Sequence, residues 1–274
     1  MFTLNCKGKL LVLDTPVVMG IINATPDSFY KGNISEDMLA LAQTMIADGA
    51  TILDIGGQST RPGSERITVE EELQRVLPVL KAIHAKFPDT IISIDTYSSK
   101  VAAAAVAAGA AIVNDISAGN MDEAMLPTVA ALHVPYVCMH MQGTPGTMQQ
   151  EAHYDDVAKE VLDFFIAKTA ACKKAGITDI IIDAGFGFGK TITHNFSLLK
   201  KMDLLQILNR PVLAGISRKS TVYKTLHSTA ADALNGTTVL NTIALMNGAN
   251  ILRVHDVKEA VEAITLFNAY KKAP

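Results

Sequence analysis

The segment IISIDTYSSKVAAAAVAAGAAIVNDI, residues 91–116, contains the repeating unit of the fold. An apolar run at 91–96 ends in Asp95 and Thr96, an Ala- and Val-rich stretch at 98–108 stops at Gly109, and a second apolar run at 111–116 carries Asn114. Short, nearly continuous apolar runs are typical of strands covered on both faces, and the stretch between them is long enough for a helical crossover. Working outward, similar runs occupy 16–23, 51–57, 135–141, 179–185, 211–217 and 251–256, giving eight strands. Between them, helices are expected at 36–48, 70–87, 123–132, 154–175, shortly after Asn195, and at 230–247 and 257–271. A short pair of strands, around Cys6 and at 10–13, precedes the first unit.

Eight strand-and-crossover units predict an α/β protein built as one (β/α)8 barrel, a single domain over 1–274 with the barrel proper at about 16–271. On pattern alone a doubly wound open sheet remains the alternative. The formal net charge is −3, so nothing points to nucleic acid or an anionic membrane, although a local patch for a small anion is compatible with it. At 49% hydrophobic and 19% charged residues, the composition excludes disorder. There is no uninterrupted apolar run of about 18 residues, and Met1 leads into Phe2, Thr3, Leu4 and Asn5 instead of a basic segment, so a cytoplasmic protein is expected. Cys6, Cys138 and Cys172 are odd in number and lack CxxC spacing, which predicts buried thiols in place of disulfides or a thiolate metal site.

Polar residues gather where the apolar runs end: Asn23, Asp54, Asp95, Asn114, Asp183, Lys219 and Arg253 with His255. In a barrel these ends converge on one face. Any one Asp there would most simply cap a helix. As a set, Asp95, Asn114 and Asp183 suit a flat, nitrogen-rich ring, because carboxylates accept from ring N–H groups and an amide both donates and accepts. The competing reading is a polar network that ties strand ends together and binds nothing. Lys219, Arg253, His255 and Arg61, with the Ser217 hydroxyl, are the groups that would receive a phosphate or pyrophosphate.

The run AGFGFGKT at 184–191 nearly matches the phosphate-binding GxxxxGK[ST] pattern, except that Ala184 stands in the first position. Its two phenylalanines and alternating glycines fit an aromatic wall with close backbone approach better than a triphosphate cradle. The segments 25–33 and 58–64 combine turn formers with reactive side chains and suit loops that close over a substrate. His140 is most economically a packing residue near the site. No HExxH or GxSxG motif supports metal-dependent or serine hydrolysis.

Eight motifs in order resemble the dihydropteroate synthases, within the wider group of pterin-binding barrels. They are INATPDSF (22–29), DIGGQSTRPG (54–63), SIDT (93–96), VNDI (113–116), MHM (139–141), DAGFGFGK (183–190), SRKS (217–220) and RVHD (253–256). The resemblance implies an enzyme that joins 6-hydroxymethyl-7,8-dihydropterin pyrophosphate to 4-aminobenzoate, releasing pyrophosphate and 7,8-dihydropteroate. It implies that Asp95, Asn114 and Asp183 hold the pterin, with Lys219 against it and Met139 and Phe188 as apolar walls. It further implies that Asn23 meets Mg²⁺ or the pyrophosphate, that Arg253 and His255 receive the anion, and that Thr60, Arg61 and Ser217 border the aminobenzoate. A homodimer and sensitivity to sulfonamides are family expectations.

The sequence departs from the family pattern at three places. Gln58 replaces a usual Glu, Ala184 a usual Pro, and Tyr30-Lys31-Gly32-Asn33 a usual Ser-Asp-Gly-Gly, so that Lys31 stands where an acidic residue assists the Mg²⁺-bound closed state. Two other readings are a folate-dependent methyl transferase of the same group and a pterin-binding module without activity.

Overall fold

A computed structural model describes residues 1–24, 34–59, 66–144, 146–148 and 152–274. Ten strands and nine α-helices are seen among them. The chain opens with an antiparallel hairpin, β1 (Phe2–Cys6) and β2 (Lys9–Leu13), in the register Phe2↔Leu13 to Cys6↔Lys9. The barrel strands are β3 (Val17–Asn23), β4 (Ile52–Gly56), β5 (Ile91–Asp95), β6 (Ile112–Asp115), β7 (Tyr136–Met139), β8 (Ile180–Asp183), β9 (Val212–Ala214) and β10 (Ile251–Val254). All pair in parallel and in sequence order, and β10 returns to β3, so the expected eight-stranded barrel closes. The open-sheet alternative is excluded.

The alternation along each strand explains both the apolar runs and the position of the polar residues. Leu53 and Ile55 on β4, Ile92 and Ile94 on β5, Val113 on β6 and Ile180 and Ile182 on β8 face the helices. Their neighbours Ile52, Ile91, Ile112 and Ile181 turn inward and fill the lower barrel. Because side chains repeat every two residues, the next inward positions are Asp54, Ser93, Asn114 and Asp183, and Asp95 follows Ser93 one step further up β5. Leu4, Cys6, Leu11 and Leu13 of the hairpin pack against the lower layer and plug the N-terminal end. Each such aliphatic side chain, fully buried, contributes about 1.5–3 kcal/mol.

The crossovers are α1 (Ile34–Ala47), α2 (Val69–Lys86), α3 (Ser99–Ala107), α4 (Met125–Leu132), α5 (Val157–Ala175), α6 (Ile192–Lys200), α7 (Ser220–Thr225), α8 (Leu234–Met246) and α9 (Val257–Lys272). Gly20 lets the helices close on β3: a Cβ there would lie 2.8 Å from Met45 Sδ and 3.2 Å from Val257. The helix expected after Asn195 starts earlier, at Ile192, because Thr191 and His194 form a capping box with Asn195 inside the first turns. The helix expected from 230 starts at Leu234. The carbonyls of Ala230 and Ala231 instead accept from Arg218 Nη1, at 3.0 and 2.7 Å. The strand segments also stop short of their expected ends, so Ser217, Lys219 and His255 sit on the loops after β9 and β10. All three cysteines are free and buried, and no described helix is long and apolar enough to cross a membrane.

Candidate active site

The inward layer at the C-terminal ends of the strands is tied together by charge. Arg253, on β10, donates from Nε to Asp54 Oδ2 at 2.6 Å and from Nη2 to Asp95 Oδ2 at 2.7 Å. Asn114 Nδ2 donates to the same Asp54 oxygen at 2.9 Å. Asp54 therefore joins β4, β6 and β10, a role that the strand-end pattern did not assign to it. Its signal in the sequence is its place inside an otherwise apolar strand, where a carboxylate needs a partner.

Electrostatics in this cluster follow from burial. Loss of solvent pushes the Asp95 carboxyl up to about 7; Arg253 opposes the shift, and the carboxylates of Asp54 and Glu72 add to it. Burial works against the Arg253 charge, but Asp54 and Asp95 outweigh it and hold the guanidinium above its ordinary value. Asp183, at the end of β8, is also raised by burial and pulled back by Lys219, and its Oδ1 accepts from the Gly185 N–H at 2.8 Å. Lys219 is lowered to about 8 by burial against the attraction of Asp183.

The loop 185–189 builds the wall beside Lys219. Lys219 Nζ donates to the Phe186 carbonyl at 2.6 Å and stands 4.7 Å from the centre of the Phe188 ring. Phe188 joins Met139, Tyr97, Ile116 and Met148 in an apolar cluster on the same face. Of the two phenylalanines expected to form an aromatic wall, only Phe188 is placed there; Phe186 is buried in the core between sheet and helices. Lys190, which a phosphate-binding loop would present to its ligand, is buried and donates to the carbonyls of Gly185 and Phe188 at 2.9 and 3.1 Å. The near match to GxxxxGK[ST] is thus a backbone clamp. His140 packs beside it with its edge against Phe164, as expected for a packing residue near the site.

After the adjoining strands β9 and β10, Ser217 Oγ contacts His255 Nδ1 at 3.0 Å and accepts from the His255 N–H at 3.2 Å. Burial of its surroundings and the charge of Arg253 push the His255 imidazole down to about 4, so it is neutral at pH 7. Arg218 clamps the two loops with a bidentate pair to Asp256, both bonds at 2.8 Å. This clamp, too, was not foreseen; its partners lie 38 residues apart and form no local motif. Asn23 ends β3 with an exposed side chain at the rim. Thr60, Arg61 and Lys31 lie outside the described residues.

A family model described as pterin binding enzyme matches residues 19–255. The dihydropteroate synthase of Escherichia coli K12 is 45% identical over 268 residues, covering 96% of this chain and 94% of that protein. The dihydropteroate synthase of Streptococcus pyogenes is 41% identical, covering 95% and 98%. Among solved structures, a Xanthomonas albilineans dihydropteroate synthase with 4-aminobenzoic acid superposes with a TM-score of 0.94 at 41% identity over 99% of both chains. The same organism's enzyme in complex with 7,8-dihydropteroate gives 0.91 at 40% identity over the full length of both.

Proposed function

The chain belongs to the family of pterin binding enzymes, and from that premise we infer that its barrel carries out the dihydropteroate synthase reaction of folate synthesis. It is a transferase that condenses 6-hydroxymethyl-7,8-dihydropterin pyrophosphate with 4-aminobenzoate, giving 7,8-dihydropteroate and pyrophosphate. The observation that carries this reading is the full-length likeness to a dihydropteroate synthase at 45% identity.

The residue roles we propose are those the family resemblance implies, and the chemistry at the barrel mouth supports them. Asp95, Asn114 and Asp183 hold the pterin through its N–H groups, Lys219 lies against the ring, and Met139 and Phe188 supply apolar walls. Arg253 and His255 receive the pyrophosphate, while Thr60, Arg61 and Ser217 border the 4-aminobenzoate. The C–O bond to pyrophosphate breaks first, leaving a resonance-stabilised pterin methyl cation. The neutral arylamine then attacks and loses its proton. The carboxylates of Asp95 and Asp183 favour the electron-poor ring electrostatically, and neither forms a covalent bond to it.

Among the described residues no cluster of three His, Cys, Asp or Glu side chains could cage a metal. A hard cation that takes most of its ligands from phosphate and water still fits the amide oxygen of Asn23 at the rim. Asn23 would hold Mg²⁺, and the ion would offset the charge that grows on the departing pyrophosphate.

A cytoplasmic homodimer completes the reading. The outer faces of α8 and α9 expose Val239, Ile243, Met246, Leu266 and Tyr270, an apolar surface suited to a second copy. Light scattering should give twice the 29.2 kDa of the chain. The function itself is tested by incubating the protein with both substrates and Mg²⁺ and detecting dihydropteroate by mass. Pterin binding without product would leave only a binding module, and methyl transfer from a folate would move the protein to another branch of the family.

A further inference from the structure

Lys190 has no assigned role toward substrate, yet it is among the most completely engaged buried cations of the described chain. Its Nζ lies 2.9 Å from His140 Nδ1, 2.9 Å from the Gly185 carbonyl and 3.1 Å from the Phe188 carbonyl, with the His140 carbonyl at 3.4 Å. Three near acceptors match the three N–H bonds of an ammonium. Burial lowers the Lys190 ammonium to about 7, against the attraction of Asp183. In its charged form it has no lone pair, so His140 Nδ1 accepts and the neutral imidazole carries its proton on Nε2. That agrees with the lowering of His140 to about 2 by burial and by the Lys190 charge.

The segment held this way has little stiffness of its own. Gly185, Gly187 and Gly189 all have positive φ, and between them the loop presents two groups to Lys219: the Phe186 carbonyl and the Phe188 ring. Lys190 bonds the first residue of that loop and the residue that carries the ring. Asn195 Oδ1 fixes the middle by accepting from the Gly187 N–H at 2.8 Å.

We propose that Lys190 is a positioning residue for the condensation: its buried ammonium pins the loop 185–189 to the His140 end of β7, and through that loop holds Lys219 and Phe188 in place beside Asp183. The proposal rests on the function inferred above. Its effect passes through hydrogen bonds to backbone, so a side chain of similar length without donors abolishes it.

The test compares the full-length protein with Lys190→Met and His140→Leu. Four readouts are needed: unfolding by urea, affinity for the pterin pyrophosphate alone, steady-state kinetics with both substrates, and the ¹⁵N shifts of His140. Lys190→Met is expected to lower kcat/KM for the pterin pyrophosphate by about 10–100-fold, the range seen when a group that orients a ligand is lost. KM for 4-aminobenzoate should stay within about threefold. The His140 ¹⁵N shifts should lose the fixed Nε2–H pattern. His140→Leu, which removes the ring acceptor and leaves the ammonium and all three carbonyls, should fall in the same direction by less.

Reduced stability with unchanged kcat/KM per folded molecule would make Lys190 purely structural and overturn the proposal. Should Lys190→Met not fold, unchanged kinetics in His140→Leu would overturn it equally. If the unaltered protein makes no dihydropteroate, the functional reading fails instead, and the role of Lys190 is then decided by pterin affinity in the same variants.

Discussion

Substituting Gly185 by Ala tests whether the site depends on a close backbone approach. Gly185 has φ +67°, and a Cβ built on it would lie 1.8 Å from the carbonyl oxygen of His140. Real Cβ atoms do not come within 3.0 Å, so the loop or the end of β7 must retreat by at least the difference, about 1.2 Å. Gly8, in the hairpin turn below the barrel, provides the control. It also has positive φ, at +89°, but nothing lies within 4 Å of its Cβ position. Gly8→Ala should therefore show the backbone cost alone, about 1–2 kcal/mol, with catalysis intact. Gly185→Ala should add about 1–3 kcal/mol of overpacking to that cost. The same retreat moves the Gly185 N–H away from Asp183 and the Phe186 carbonyl away from Lys219. A misplacement of about 1 Å typically costs about 100-fold in rate. Urea unfolding and steady-state kinetics on both variants separate the two effects. Equal losses of stability, or a Gly185→Ala enzyme with unaltered kcat/KM, would refute the reasoning.

Three further outcomes follow from the same geometry. The pH profile of kcat/KM for the pterin substrate should rise as Asp95, at about 7, loses its proton and fall as Lys190, at about 7, and Lys219, at about 8, lose theirs. Lys219→Arg should remove the part of the fall at about 8 and leave the Lys190 part; a fall still centred at about 8 would assign it to another group. Arg253→Met leaves Asp54 and Asp95 buried without their cation, a loss of about 3–5 kcal/mol at pH 8. Asp95 already has a raised pKa, so the folded state holds a proton that the unfolded state has released, and stability falls as pH rises toward about 7. Without the guanidinium that shift grows, so urea midpoints of the variant should fall more steeply between pH 5 and pH 8 than those of the unaltered protein; parallel curves would contradict this. Thr191→Ala removes the capping oxygen that accepts from the His194 N–H at 3.1 Å and should cost about 1 kcal/mol, read as a shifted urea midpoint at constant slope.

The barrel was legible because its information is local. Every strand from β3 to β10 lies within an apolar run visible in the sequence, and the period of two in a parallel strand carries Asp54, Asp95, Asn114 and Asp183 to the inner face without any knowledge of distant contacts. What escaped was set by pairs far apart in the chain. The Arg253–Asp54 pair joins positions 199 residues apart, and nothing near either residue announces it. The start of α8 at Leu234 depends on Arg218, which takes the carbonyls of Ala230 and Ala231, a contact no helix propensity contains. The capping box of α6 uses His194 where Glu or Gln is the usual partner, so its signature was passed over. The phenylalanines of the run at 184–191 argue against a phosphate cradle, but that reading gives no role to Lys190, whose partners include backbone carbonyls within the loop.

The charge arrangement explains why a chain with a net charge near zero can bind an anion and stabilise a cation in one site. At the floor, Asp54, Asp95 and Asp183 face Arg253 and Lys219, an excess of carboxylate over cation. With Asp95 near 7, an uptake of one proton brings that floor close to neutrality when no ring is bound. A ring that donated N–H groups to Asp95 would favour its ionised form, so on the proposed roles pterin binding would drive the proton off and leave the floor negative beneath the ring. That is the polarity a pterin methyl cation requires. On the proposed roles, the pyrophosphate would meet its hydrogen-bond donors higher up, where neutral His255 leans on Ser217 at the rim. Arg253 spans both levels: two of its nitrogens are bound to the carboxylates below, and its charge is partly spent there. The leaving group is therefore held without a full local excess of positive charge, which would trap pyrophosphate after the bond breaks. Separation of the two polarities along the barrel axis lets the C–O bond ionise and the anion depart from the same mouth.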